Sequence, residues 1–416
     1  MANALLTEEE LGQPEATWPL DLAWCPACSL VQITESVPPE KMFREYAYFS
    51  SFSNTMVQHA RKIAESLTDR CQLHGDSLVV EVASNDGYLL QWYQRAGVPV
   101  LGIEPARNIA RVAEEEKGVP TISEFFGREL ADQLVASDHQ ADVIHANNVL
   151  AHVPDLNGVV AGFKTLLKPN GVVVVEAPYL KDLIEHVEFD TIYHEHLCYF
   201  SLTALDRLFR RHGLEIVDAE RLPIHGGSLR IFARHAEATT PASGAASAPR
   251  SIAQTESNRG ADAAPLANVP WSPSESVRTL LADEANWANV ESHYLNFGQR
   301  VETLRCELTG LLRTLKADNQ RIAVYGASAK GSTLLNYFGI GADTLDYVVD
   351  RSTVKQGRYT PGTRLKIYDP DKLTTDQPDY CLLLTWNFAD EILAQQQRYR
   401  DQGGKFIIPI PNVRVA

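Results

Sequence analysis

Residues 193–196 read Tyr-His-Glu-His. Histidine exchanges protons near neutral pH more readily than any other side chain. A phenol and a carboxylate beside it supply a hydrogen-bond donor and an acceptor. The stretch therefore suits a reaction that starts by moving a proton. His196 is the candidate for that work. His194, between Tyr193 and Glu195, is expected to face solvent.

A second cluster surrounds a short loop. The apolar run LVVEVA (78–83) reads as a buried strand, followed by Ser-Asn-Asp-Gly87 and a helical segment. Strand–turn–helix junctions at the carboxyl edge of a doubly wound sheet are ligand sites. The next strand, PVLGIEP (99–105), ends at Glu104. An acid there can accept hydrogen bonds from the hydroxyls of an adenosine ribose. The loop carries one glycine where dinucleotide folds carry three. That matters little for a cofactor without a pyrophosphate. S-adenosylmethionine (SAM) is such a cofactor, and acids suit its sulfonium and ammonium charges.

A third stretch, Gly326-Ala-Ser-Ala-Lys-Gly331, also follows a strand and precedes a helix, and Asp350 closes the next strand. Taken alone it suggests an NAD-dependent oxidoreductase, but Gly-x-Ser-x-x-Gly is a weak match to the dinucleotide fingerprint. Backbone N–H groups at a helix start, with Lys330, suit a diphosphate. Lys355 and Arg358 in VKQGRYTPG, and Arg230 after the paired glycines of IHGGSLR, add cations.

These stretches sit on two runs of β–α alternation. The first implies a parallel sheet with helices on both faces. Residues 1–50 are turn-rich. Residues 51–235 form the first α/β domain, and 236–275 are an Ala/Ser/Pro-rich insertion or linker with little to bury. Residues 276–416 form a second, smaller Rossmann-like α/β domain. A composition of 44% hydrophobic and 22% charged residues suits a globular protein. A net charge of −15 argues against a general nucleic-acid or membrane-surface binder, which needs a positive face. No apolar run spans a bilayer and the acidic start is no secretory signal, so a cytoplasmic location is expected. Composition leaves the oligomeric state open.

Ten segments in order carry a family resemblance: CPACSLVQ (25–32), YAYFSSFS (46–53), EVASNDGYLL (81–90), GIEPA (102–106), ANNVLAHVPD (146–155), DTIYHEHLCYFS (190–201), LPIHGGSLR (222–230), YGASAKGSTLLNYFGIG (325–341), VDRSTVKQGRYTPG (349–362) and TWNFADEI (385–392). The chain resembles the three-domain, SAM-dependent sugar C-methyltransferases that methylate C-3 of dTDP-4-keto sugars. The resemblance runs nearly end to end. It implies a class I methyltransferase sheet, a Rossmann-like C-terminal domain and a zinc-binding-type N-terminal segment. The family opens with an earlier Cys-x-x-Cys, and zinc joins the two pairs. Here MANALLTEEELG reads as sequence from inside that domain, so the domain is expected to be truncated and poorly ordered. Only Cys25 and Cys28 remain of a site that wants four ligands, and full zinc occupancy is not expected.

The resemblance also implies roles. His196 is the base that removes a proton beside a ketone, and the resulting enolate carbon attacks the methyl group of SAM. Tyr193 and Glu195 flank the sugar, and His152 and Tyr48 complete the pocket. Glu81, Asn85, Asp86 and Gly87 line the methionine end of the cofactor, and Glu104 takes the ribose. Phe126 stacks near the adenine, and Asn147 opens onto the pocket. Arg230, Lys330, Lys355 and Arg358 hold an NDP-sugar, dTDP-linked by resemblance, under the C-terminal domain. A sugar O-methyltransferase is the alternative, since an oxygen acceptor needs a base as well.

Overall fold

The computed structural model describes residues 1–44, 49–224, 226–236 and 273–416. Three sheets organise the chain. Strands β1 (Leu22–Trp24) and β2 (Val31–Ile33) form an antiparallel hairpin near the N-terminus. The first α/β domain supplies β3 (Val79–Val82), β4 (Val100–Ile103), β5 (Thr121–Ile122), β6 (Ala141–Asn147) and β7 (Leu167–Pro178). It continues with β8 (Cys198–Tyr199), β9 (Leu214–Leu222) and β10 (Ser228–His235).

The main sheet runs β5-β4-β3-β6-β7-β10-β9. Strands β3 to β7 are parallel, with fully buried runs such as VVEV and VLGI. Burial on both faces explains why they read as continuous apolar segments. Strand order reverses between β3 and β6, which places a ligand crevice at their carboxyl ends. The expected parallel sheet is seen in β3 to β7, and an antiparallel pair extends it. Strand β10 is antiparallel to both β7 and β9. The β9–β10 hairpin turns at Gly226-Gly227, whose φ of 95° and 134° favour glycine.

Local signals set the helices. Helix Asn54–Arg70 starts where the Ser53 hydroxyl accepts from the Met56 N–H. Helix Arg107–Lys117 stops at Gly118, with φ 64°. The N-terminal hairpin is folded into the structure, contrary to the expected disorder. Strand β2 pairs with β8, directly after the Tyr-His-Glu-His stretch. Hydrophobic and hydrogen-bonding partners distant in sequence complete what the short segment lacks.

The second domain holds β11 (Ile322–Tyr325), β12 (Val348–Val349), β13 (Ile367–Tyr368), β14 (Tyr380–Leu383), β15 (Lys405–Ile408) and β16 (Arg414–Val415). Its order is β13-β12-β11-β14-β15-β16, parallel except at β16. The long helix Glu291–Ala317 leads into it, burying Val301, Leu304, Leu308, Leu312 and Leu315 along one face. Among the described residues no helix is long and apolar enough to cross a membrane.

Helix Glu275–Glu284 packs on the first domain: the Ser274 N–H donates to the Val217 carbonyl, and the Ser274 and Ser276 hydroxyls donate to Asp218. Its last residue, Glu284, is fully buried. That carboxylate accepts from the Leu202 N–H at 2.7 Å, the Thr203 N–H at 2.6 Å and the Tyr179 hydroxyl at 2.8 Å. It thereby satisfies the open N-terminus of helix Leu202–Arg211. Glu284→Ala removes three charge-assisted hydrogen bonds and is expected to cost about 3 kcal/mol in urea unfolding; a loss under about 0.5 kcal/mol, the range of a neutral surface change, contradicts this role.

Candidate active site

The Tyr-His-Glu-His stretch follows the 3-10 turn Phe189–Thr191. His196 Nδ1 lies 2.9 Å from the Thr191 carbonyl oxygen. A carbonyl only accepts, so Nδ1 carries the proton. In the neutral ring Nε2 then holds the lone pair, 3.1 Å from the Tyr193 hydroxyl, which donates to it. The two rings are 4.2 Å apart. The His152 ring meets His196 edge-on at 4.9 Å, with Phe43 on its other side. Burial pushes the His152 pKa down to about 4, so that imidazole is neutral near pH 7. Its Nδ1 is buried and has no hydrogen-bond partner among the described residues. Glu195 is buried and accepts from the Asn3 side-chain amide. The Leu197 N–H donates to the Ala151 carbonyl and ties the two histidine segments together. His194 turns away to the backbone carbonyls of Trp18 and Pro19. Tyr48 lies outside the described residues.

At the carboxyl ends of β3, β4 and β6 the polypeptide buries several acids. Glu81 is wholly enclosed; its carboxyl pKa is pushed well above the ordinary range by burial and by the nearby Glu104 and Asp86. One of its oxygens has no hydrogen-bond partner among the described residues. Burial raises Glu104 to about 7, against the pull of the Ala106 and Asn85 N–H groups that donate to it. Asp86 meets the Ser51 hydroxyl and, at 3.1 Å, Lys117; its other oxygen has no partner among the described residues. Asn85 accepts from the Ser50 N–H. The loop's left-handed residues include Ala83, Asn85 and Gly87. Gly87 is required twice over, by its φ of 73° and because a Cβ would sit 2.9 Å from Val119. Asn147, ending β6, has a buried side-chain oxygen without a partner among the described residues. Unpartnered acceptors and too few cations make this crevice a place for a ligand that brings positive charge and hydrogen-bond donors.

Other expected site residues sit elsewhere. Phe126 stacks on Phe163 at 5.5 Å and lies against Gly162 of helix Leu156–Leu166, and it stays partly exposed. Arg230 is not available to a diphosphate. Its guanidinium binds Glu176 at 2.6 Å and Glu220 at 2.8 Å, beside His59. Burial alone would raise Glu176, but hydrogen bonds from His59 and the charge of Arg230 bring it down to about 2. Sequence inspection missed this buried network, because its members come from helix Asn54–Arg70, β7, β9 and β10 and share no local spacing.

The second glycine loop is held by local hydrogen bonds. The Ala327 N–H donates to Asp350, the Gly331 N–H to the Ser328 hydroxyl, and Lys355 Nζ to the Ala327 carbonyl. A Cβ at Gly326 would meet Thr385 at 2.7 Å. Asp350 and Ser328 thus occupy two of the N–H groups at this helix start. Lys330 lies over the Trp386 ring at 4.7 Å instead of reaching outward, and Arg358 is exposed.

Cys25 and Cys28 lie on a tight turn held by the Cys25 N–H to the Leu30 carbonyl and the Ser29 N–H to the Cys25 carbonyl. Among the described residues no three His, Cys, Asp or Glu side chains are grouped to hold a metal. The two thiols do not by themselves fit a closed four-ligand zinc site.

Three family models match the chain. Residues 56–219 match a "Methyltransferase domain", residues 261–411 a "C-methyltransferase C-terminal domain", and residues 1–43 a "Putative zinc binding domain". C-methyltransferase NovU of Streptomyces niveus is 35% identical over 416 residues, covering 100% of this chain and 91% of the relative. A ubiquinone biosynthesis O-methyltransferase of Pasteurella multocida (strain Pm70) is 35% identical over 107 residues, 23% of this chain and 43% of that protein. Among solved structures, magnesium protoporphyrin IX methyltransferase (ChlM) of Synechocystis PCC 6803 with bound SAM aligns at a TM-score of 0.33 and 14% identity, over 42% of this chain and 78% of that one. The doubly wound sheet with its acid-lined crevice and the match along the full length agree: the chain belongs to the S-adenosylmethionine-dependent C-methyltransferase family.

Proposed function

We propose that the protein methylates the carbon beside the ketone of a nucleotide-linked keto-deoxysugar, with His196 as the base. The observation that carries this reading is the Thr191 carbonyl on Nδ1, which leaves Nε2 as the proton-accepting nitrogen. A carbon next to a ketone becomes nucleophilic only after losing a proton. Nε2 takes that proton, and the imidazolium formed keeps its Nδ1–H on the carbonyl. Tyr193 and neutral His152 flank the same point, and a phenol is suited to donate to the enolate oxygen. Glu195 orients groups around the sugar. When bound, SAM supplies the electrophilic methyl group. Glu81, Asn85, Asp86, Gly87 and Asn147 are assigned to its methionine end and Glu104 to its ribose, since each Glu104 oxygen keeps a lone pair beyond its amide bond. End-to-end similarity of the motifs supports a dTDP-linked sugar as acceptor. The cations of the second glycine loop do not contribute to that assignment.

Proton abstraction can be read without methyl transfer. With dTDP-4-keto-6-deoxyglucose in heavy water and no cofactor, the wild-type protein is expected to place deuterium on the carbon beside the ketone. His196→Asn should slow this by roughly 10²- to 10⁴-fold, the range for loss of a general base, with S-adenosylhomocysteine binding intact. Exchange at the wild-type rate in His196→Asn refutes the base assignment, and no exchange in the wild type points to a hydroxyl acceptor.

Cofactor binding should depend on pH through Glu104. Its pKa of about 7 in the ligand-free fold means it is mostly protonated at pH 6. A cation and ribose hydroxyls favour the carboxylate, so binding at pH 6 releases a proton and affinity for SAM rises toward pH 8. Calorimetry in buffers of different ionisation enthalpy reads the released proton. Glu104→Gln should flatten the profile; a pH-independent wild-type affinity contradicts the assignment.

A further inference from the structure

The turn Phe189–Thr191, whose Thr191 carbonyl fixes the His196 ring, is held by the second domain. Phe189 stacks on Phe338 at 4.8 Å and 19°. Asp190 is fully buried, and one of its oxygens accepts from the Trp386 indole N–H at 2.7 Å. Lys330 Nζ lies 4.7 Å above the same indole and has no hydrogen-bond partner among the described residues. Burial by itself would favour the neutral form of Asp190, and the Lys330 charge opposes that. An aspartate in such a place serves little purpose for stability alone, because a buried charge is expensive to desolvate. What it does achieve is to fix the peptide next to Thr191.

We propose that Trp386 is a positioning residue for the reaction: its indole N–H, backed by Lys330, anchors Asp190 so that the adjoining Thr191 carbonyl faces His196 Nδ1. The second domain thus sets the tautomer of a base carried by the first. This rests on the reading of His196 as the base. It also gives Lys330 a place in the chemistry different from contact with a diphosphate. Losing the anchor lets the carbonyl drift and the imidazole turn, and small misalignments of a reacting group are costly in rate.

The test is a double-mutant cycle on deuterium exchange with dTDP-4-keto-6-deoxyglucose, each rate divided by the concentration of sites that bind S-adenosylhomocysteine. Trp386→Phe keeps an aromatic face for Lys330 and removes the N–H. It is expected to slow exchange on the order of 10- to 100-fold in the otherwise native protein, and by less than about twofold in a His196→Asn background, because partners acting through one group are not additive. Lys330→Met, an independent variant should Trp386→Phe fold poorly, is expected to follow the same pattern. The proposal is overturned if both variants exchange at the native rate per binding site, or if each slows the native and His196→Asn proteins by equal factors. A His196→Asn protein that exchanges at the native rate instead removes the base assignment itself, which separates that failure from a failure of the anchor.

Discussion

One hydrogen bond organises the candidate site: the Thr191 carbonyl on His196 Nδ1, at 2.9 Å. It decides which ring nitrogen carries a proton and therefore which can take one. The bond spans five residues of one loop, yet its geometry depends on much of the molecule. Strand β8 pairs with the N-terminal hairpin just beyond His196. Leu197 is tied to Ala151, which brings the two histidine segments together. Phe189 and Asp190 are seated against Phe338 and Trp386 of the second domain. Three parts of the chain thus converge on one short turn.

The second organising constraint is electrostatic. Glu81, Asp86 and Glu104 are all nearly or fully buried at the carboxyl edge of the main sheet, where Lys117 pairs with Asp86. Burial raises the carboxyl pKa of Glu81 and Glu104 and leaves acceptor atoms without partners. A ligand with positive charge and hydroxyl donors relieves both costs at once. The contrast with Glu176 is instructive. That acid is equally buried, but Arg230 and His59 compensate it fully, and it is held at about 2. Paired buried charge builds the framework, whereas the under-compensated acids mark the place for a ligand.

The sequence made the local parts of this picture legible. Buried strands such as VVEV, the stop at Gly118 and the positive-φ glycine at 87 follow from short-range rules. Glu81 and Glu104 were recognisable because strand ends in a doubly wound sheet share one edge. The Tyr-His-Glu-His stretch stood out by composition, and the fold brings Tyr193, Glu195, His196 and His152 to one place. Residues whose partners are far away in sequence were not legible. Arg230 read as a cation for a ligand until Glu176 and Glu220 appeared beside it. Lys355 and Lys330 read as phosphate cations because nothing local reveals the Ala327 carbonyl or the Trp386 ring. Phe126 could pack or stack by type alone, and Phe163 supplies a packing partner that no local spacing announced. The β9–β10 hairpin was obscured by its setting among parallel strands.

The most direct measurement of the central claim is the tautomer of His196, read by ¹⁵N NMR on protein carrying ¹⁵N-labelled histidine, with His196→Asn used to assign the resonances. A Thr191 carbonyl that fixes the ring predicts a protonated Nδ1 and a pyridine-like Nε2 in the neutral imidazole. A protonated Nε2 with a pyridine-like Nδ1 would contradict the account, since the nitrogen meant to accept the proton would already hold one.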